Sequence, residues 1–228
     1  MKDTLRTFVA EFIGTFALTF VGGAAIMNVR GADGASGLTA VALAHGLILA
    51  LMVSAFMRVS ASFNPAVSVA LVATRKISPI TFLVHLVAQL VGAMIAAMVL
   101  QASFPADIVL ATRVGGQWVS SAVTTWQAFS LEAVATAFLV FVVFGTAVDG
   151  KGPKIGGLAI GLTIAADILA IGPLTGGSMN PARSFGPAVV SGIFEGHLLY
   201  WAAPILGALV AGFTYDVLFL RGSEPAAA

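Results

Sequence analysis

Six long apolar runs restrict the folds that this chain can adopt. The runs cover residues 5–27, 38–57, 77–100, 127–148, 155–171 and 197–220. A helix rises 1.5 Å per residue, so about 20 apolar residues cross the hydrocarbon core of a bilayer. Hydrophobic residues make up 59% of the chain and charged residues 9%, which is too apolar for a water-soluble domain of this length. The sequence therefore predicts an all-α integral membrane protein with six membrane-spanning helices.

The charged and reactive residues exclude several classes of function. A formal net charge of +1 gives no electrostatic reason to expect nucleic acid as a partner. The chain has no cysteine, and His45, His85 and His197 lie far apart without the spacing of metal ligands, so we expect no disulfide, metal or cofactor. No Ser/His, His/Glu or paired-carboxylate constellation stands at a spacing that suits catalysis, so we do not expect an enzyme.

The basic residues between the apolar runs predict the orientation of the chain. Six crossings place both termini on one side of the membrane, and most of the basic residues fall on that side. These residues are Lys2, Arg6, Arg75, Lys76, Lys151, Lys154 and Arg221. Arg30 and Arg113 fall on the other side. Because cytoplasmic loops carry an excess of Lys and Arg, we expect both termini in the cytoplasm, and we expect the plasma (inner) membrane as the location.

Two further apolar stretches are too short to cross a bilayer. They read "SFNPAVSVALVA" at 62–73 and "SMNPARSFGPAVV" at 178–190. Asn is a favoured N-cap residue and Pro is favoured at the first helical position, so each Asn-Pro pair predicts the start of a helix. A helix of about 10 residues covers roughly half of the bilayer, and its exposed backbone end must be buried in protein or line a watery cavity. We therefore predict two re-entrant half-helices.

The chain also contains an internal duplication. "AEFIGTFALTF" at 10–20 is similar to "LEAVATAFLVF" at 131–141, and "QLVGA" at 89–93 is similar to "PILGA" at 204–208. Each half has three crossings, an odd number, so the second half enters the membrane from the opposite face. We predict one domain over 1–228, built from inverted repeats at about 1–115 and 116–228. The N-termini of the half-helices can then meet near the bilayer midplane.

Paired half-helices have a direct electrostatic consequence for transport. Each N-terminus carries roughly half an elementary positive charge, so two that face a pore repel cations. The side chains of Asn64 and Asn180 can cap the helices and also offer an amide N–H that orients a passing water. Arg183 follows the second motif, and charged residues inside membranes generally face a cavity on a substrate path. The alternatives are that the Asn residues only cap helices and that Arg183 belongs to a structural ion pair.

The two Asn-Pro-Ala motifs, one in each half of a six-span duplicated chain and the second followed by Arg183, resemble the aquaporin (major intrinsic protein) family. The motif residues are Asn64, Pro65, Ala66, Asn180, Pro181 and Ala182. The resemblance covers essentially the whole chain. It implies a passive water channel that excludes protons and cations, and a homotetramer in the lipid bilayer with one pore in each subunit. It also implies that Glu11 and Glu132 hold the loops before the half-helices.

The resemblance further implies a narrow selectivity filter. Its members map to His45, Ile168, Gly177 and Arg183. This set, together with "GGSMNPARSFGPAVVSG", is similar to the plant tonoplast-type group, whose members include channels for water and ammonia. We therefore expect water as the first solute and ammonia as the second. The chain departs from the usual pattern at Ser62, where a His commonly stands, in a loop that is one residue shorter.

Other solutes and mechanisms remain open at this point. A facilitator for glycerol or another small neutral solute is one alternative, although Ser184 stands where glycerol facilitators typically carry Asp. A proton-coupled small-solute transporter is another, because that class also uses inverted repeats, broken helices and membrane carboxylates. Asp167 neighbours Ile168 but points about 100° around the helix. It either pairs with a filter residue, lies at a subunit contact or is a hydrogen-bonded core residue.

Overall fold

The computed structural model describes residues 2–29 and 34–221. Arg30, which the sequence places in a loop opposite the termini, lies outside the described residues. The described part is helical and contains no strand. Six of its helices are long and apolar enough to cross a membrane. The prediction of an all-α membrane protein with six spanning helices and two half-helices is therefore confirmed.

The helices follow the apolar runs of the sequence. They are α1 (Lys2–Asn28), α2 (Gly34–Phe56), α3 (Pro65–Ala73), α4 (Pro79–Ser103), α5 (Ala106–Ala111), α6 (Thr125–Val143), α7 (Gly156–Thr175), α8 (Pro181–Ser191) and α9 (Leu199–Tyr215). π-Helical turns at Phe144–Val148 and Asp216–Leu220 continue α6 and α9. The half-helices are α3 and α8. The sequence analysis did not predict the short α5 or the π-helical turns.

Helix α7 continues beyond the apolar run that predicted it. The run ends at residue 171, but the helix extends through Pro173 to Thr175. Pro173 has no N–H to donate to the carbonyl of Leu169, so the helix loses one hydrogen bond there and continues for only two residues beyond the proline. The helix stops at Gly176, which adopts a left-handed conformation with φ +81° and donates its N–H to the carbonyl of Gly172 at 2.9 Å.

Small residues allow the spanning helices to approach closely in pairs. Helix α2 packs on α7, α1 on α4 and α6 on α9. A Cβ on Gly46 would lie 2.6 Å from the carbonyl oxygen of Gly161, and a Cβ on Gly92 would lie 2.6 Å from that of Phe12. Lipid provides no hydrophobic drive between helices, so this close packing supplies the contact energy that holds the bundle together.

The half-helices pack inside the frame of spanning helices. Helix α3 lies against α4 and α9, and α8 lies against α4. The residue before each Asn-Pro motif, Phe63 and Met179, is completely buried. At the far end of α3, Lys76 is 2.7 Å from the buried carboxylate of Asp216, which is also 2.6 Å from Arg221. These ion pairs tie the loop after α3 to the end of α9.

Candidate transport pore

Each half-helix begins at its Asn-Pro pair. Asn64 has extended backbone angles (φ −156°, ψ 118°), and its Oδ1 accepts the N–H of Ala66 at 2.9 Å. Asn180 does the same for α8, where its Oδ1 accepts the N–H groups of Ala182 at 3.0 Å and Arg183 at 3.2 Å. Pro65 and Pro181 occupy the first helical positions and are buried. The local chemistry of the motif thus sets where both half-helices start.

The two motifs are also joined to each other by side-chain hydrogen bonds. Asn64 Nδ2 donates to the carbonyl of Met179, and Asn180 Nδ2 donates to the carbonyl of Phe63, both at 2.8 Å. Each bond uses one of the two amide hydrogens, so a second N–H remains on each Asn. Both residues line the same cavity. The sequence analysis did not predict this reciprocal bridge, although the matching motifs are its signal.

The residues that accept these bonds have an unusual backbone conformation. Phe63 and Met179 both have φ +51°, in the left-handed region that costs bulky residues energy. The N–H of Phe63 donates to Glu11 Oε2 and that of Met179 donates to Glu132 Oε2, each at 2.7 Å. The two carboxylates therefore stabilise the conformation that turns each carbonyl toward the opposite Asn.

Both glutamates bind further groups of the same loops. Glu11 Oε1 accepts the N–H of Ser62 at 2.8 Å and the hydroxyl of Ser60 at 2.5 Å. Glu132 Oε1 accepts the N–H of Ser178 at 2.9 Å and the hydroxyl of Thr175 at 2.7 Å. Neither glutamate side chain reaches solvent. Each buried carboxylate is therefore surrounded by donors, as a charge in the membrane interior requires.

In each half, one further side chain forms hydrogen bonds near the loop that precedes the half-helix, and this side chain differs between the halves. The imidazole of His85 lies 2.9 Å from Ser60 Oγ and 3.2 Å from Ser68 Oγ. In the other half, Tyr200 donates its hydroxyl to the carbonyl of Thr175 at 2.7 Å. His85 stands four residues before "QLVGA" and Tyr200 four residues before "PILGA", so the internal duplication was the signal for this pair.

The sequence spacing did not indicate that a Ser/His/Glu group forms in the folded chain. Ser60, His85 and Glu11 are far apart in sequence but meet because three separate segments converge below α3. The group is not arranged as a catalytic triad. Ser60 donates its proton to Glu11, and the second ring nitrogen of His85 contacts Ser68 rather than a carboxylate.

The four residues expected to form a filter line one cavity. This central cavity is narrow, with about 20 Å³ of space for the centres of water-sized molecules. Its lining includes His45, Ile168, Gly177, Arg183, Asn64 and Asn180. Five of its residues also line an inner vestibule near Thr7 and Lys76: Ala61, Ser62, Val67, Val143 and Ile160. Ile168 also lines an outer vestibule that contains Gln117 and Trp118. The cavities therefore follow one another through the bundle.

Two of the three guanidinium nitrogens of Arg183 have hydrogen-bond partners within the protein, and the third has none among the described residues. The residue is 1% exposed, and its Nη2 donates to the carbonyl of Gly115 at 2.8 Å. Both Nε and Nη2 lie 3.2 Å from His45 Nε2. Its third nitrogen, Nη1, is buried and has no hydrogen-bond partner among the described residues. One donor group of the guanidinium is thus left for a molecule in the cavity.

The hydrogen bonds of His45 define its tautomer. Nδ1 lies 2.8 Å from the carbonyl of Val41, which can only accept, so Nδ1 carries the proton. Nε2 faces the guanidinium of Arg183, which can only donate, so Nε2 is the acceptor. Both ring nitrogens are engaged within the protein. His45 consequently supplies no free N–H to the cavity, a point that the sequence did not reveal.

Asp167 does not pair with the filter. It is 7% exposed, and its Oδ2 has no hydrogen-bond partner among the described residues. It lines none of the cavities described above. No hydrogen bond joins Asp167 to a filter residue among the described residues, and the interpretations of a core residue and of a subunit contact stay predictions.

Comparison with known proteins agrees with this architecture. The family model described as "Major intrinsic protein" matches residues 1–215. Aquaporin TIP4-4 of Zea mays is 41% identical over 97% of this chain and 90% of its own, and the probable aquaporin TIP-type RB7-18C of Nicotiana tabacum is 39% identical over the same shares. The solved structure of the aquaglyceroporin from Plasmodium falciparum superposes with a TM-score of 0.80 at 25% identity, covering 96% of this chain and 98% of that one. The chain therefore belongs to the major intrinsic protein family, the family of the aquaporins.

Proposed function

We propose that this protein is a passive channel that conducts water, with ammonia as a second solute, and that excludes protons and other cations. The free Nη1 of Arg183 carries the proposal. A buried donor without a partner costs about 1–3 kcal/mol, and a water molecule in the central cavity would remove that cost. The relatives named as aquaporins support the water-channel part of the proposal.

Cation exclusion follows from the charges that face the cavity. The N-termini of α3 and α8 meet there, and each contributes roughly half a positive charge. The guanidinium of Arg183 adds a full charge in a buried position. A cation would have to lose its water shell next to these charges, whereas a neutral molecule would not.

Proton exclusion depends on the second amide hydrogens of Asn64 and Asn180. Both residues line the cavity, and each has one N–H that the reciprocal bridge leaves unused. A water that accepts from these donors turns its oxygen toward them and its hydrogens outward. This orientation interrupts the chain of hydrogen bonds along which a proton would move.

The proposed filter of His45, Ile168, Gly177 and Arg183 supports ammonia as a second solute. None of the four is Phe, Tyr or Trp, so no large aromatic ring fills that part of the wall. Gly177 contributes no side chain, and a Cβ there would lie 3.2 Å from Ile168 Cγ1. The wall thus combines the Arg183 donor with an apolar face. Such a wall suits a small neutral molecule that forms few hydrogen bonds.

We also infer the assembly and topology of the channel. Six spanning helices place both termini on one side, and the basic residues near them favour the cytoplasm. The matching hydrogen bonds of Glu11 and Glu132 support inverted repeats at about 1–115 and 116–228. A homotetramer with one pore per subunit and a plasma (inner) membrane location stay predictions. Cross-linking and membrane fractionation test them, and tonoplast-type relatives do not favour the plasma membrane.

Stopped-flow measurements on proteoliposomes test the proposal directly. The parent protein should raise water and ammonia permeability above empty liposomes, with a low activation energy and no saturation, and it should conduct glycerol poorly. Arg183→Val should raise cation leak or glycerol flux, while Arg58→Val removes the same charge at an exposed position and should change neither. Saturable flux coupled to an ion gradient would instead identify a transporter. Unchanged selectivity in correctly assembled Arg183→Val would contradict the filter role.

A further inference from the structure

Helix α1 carries a glycine directly behind the imidazole of His45. We propose that Gly22 is a positioning residue of the channel, because its lack of a side chain seats His45 where the ring accepts from Arg183. The inference rests on the proposed function, since it assumes that Arg183 and His45 form the filter. Gly22 itself touches no solute.

The space behind His45 allows no larger residue than glycine. A Cβ on Gly22 would lie 2.6 Å from His45 Cε1 and still closer to Nε2 and Cδ2. Carbon atoms that are not bonded prefer a separation of about 3.5–4.0 Å, so the added methyl group and the ring cannot both keep their places. The atom most strongly affected is Nε2, the acceptor for Arg183.

The imidazole cannot withdraw along its own helix. Its Nδ1 is fixed by the carbonyl of Val41 at 2.8 Å. The ring lies between α1 and the central cavity, which it lines. A methyl group on Gly22 would therefore push it toward the lumen and away from its present contact with Arg183.

The second acceptor of Arg183 is also supported by α1. Gly115, whose carbonyl accepts from Arg183, has φ +68°. A Cβ on Gly115 would lie 2.6 Å from the Cα and 2.7 Å from the carbonyl oxygen of Gly23. Gly22 thus packs against the His45 imidazole, and the next residue, Gly23, packs against Gly115. These are the two groups that accept hydrogen bonds from Arg183, so we assign Gly22 a role beyond helix packing.

A double-mutant cycle tests this role. Gly22→Ala should lower the water permeability per folded channel at least about fivefold, the change produced by about 1 kcal/mol of barrier. In a His45→Ala background there is no ring to displace, so Gly22→Ala should then change permeability by less than about twofold. Gly92→Ala is the control, because its Cβ would strike the backbone of Phe12 between α1 and α4 and should lower stability without changing the permeability per folded channel.

The melting temperature gives a second readout that does not depend on transport. Gly22→Ala should lower it in the parent and much less in the His45→Ala background, whereas the Gly92→Ala loss should be equal in both. An equal effect of Gly22→Ala in the two backgrounds, in permeability or in melting temperature, would overturn the inference. Unchanged selectivity of Arg183→Val would instead overturn the proposed filter, while the melting-temperature cycle would still decide the contact between Gly22 and His45.

Discussion

Replacing Asn180 with Asp separates the two roles of this residue. The substitution changes Nδ2 into an oxygen and keeps the shape, so the cap to Ala182 and Arg183 is retained. The donor that reaches the carbonyl of Phe63 at 2.8 Å becomes an acceptor. Asn180 is 2% exposed, so only a water molecule in the central cavity could take the place of the lost bond. Leaving the buried carbonyl of Phe63 without its donor costs about 1–3 kcal/mol.

This loss should be visible in thermal unfolding of the detergent-purified protein. For a chain of this size, about 1 kcal/mol shifts the melting temperature by about 2–4 °C, so we expect a decrease of roughly 2–12 °C. The new negative charge should also offset the positive half-helix ends and increase cation leak into vesicles. Asn64→Asp, which loses the equivalent bond to Met179, is the matched comparison and should behave alike.

Asn180→Ser distinguishes the bridge from the charge. Serine can cap the helix but is too short to reach Phe63, so it should lower the melting temperature without increasing the leak of metal cations such as sodium. If Asn180→Asp melts at the parent temperature and leaks no cations, the reciprocal bridge neither stabilises the half-helices nor belongs to the exclusion mechanism.

Three further predictions concern the solute, the absence of thiols and the hydrogen bond between Tyr200 and Thr175. His45→Phe should lower ammonia permeability more than water permeability in the same vesicles, because the ring fills the space beside Ile168; equal losses would contradict ammonia selection at this position. Mercurials at low concentration should not inhibit the channel, because the chain has no cysteine; reversible inhibition relieved by a thiol would refute this. Tyr200→Phe should lower the free energy of unfolding by about 1–3 kcal/mol, because it leaves the buried carbonyl of Thr175 without its 2.7 Å bond. An unchanged melting temperature would show that this hydrogen bond does not stabilise the protein.

The sequence determined the elements of this fold because their causes are local. Apolar runs of about 20 residues can satisfy their backbone in lipid only as helices. The Asn-Pro pairs set the first turn of α3 and α8 through contacts two or three residues along the chain. The end of α7 was less predictable, since a helix can pass a late proline and stop at the next glycine that accepts a left-handed conformation.

Only the tertiary structure decided how the site residues act on one another. The bridge from Asn64 to Met179 joins residues 115 positions apart, and the contact of Arg183 with His45 spans 138 positions. The contact of His85 with Ser60 and the packing of Gly22 against His45 also join residues that are distant in sequence. A local pattern states which groups can donate and accept, but the pairing depends on which helices pack side by side and how closely their backbones approach.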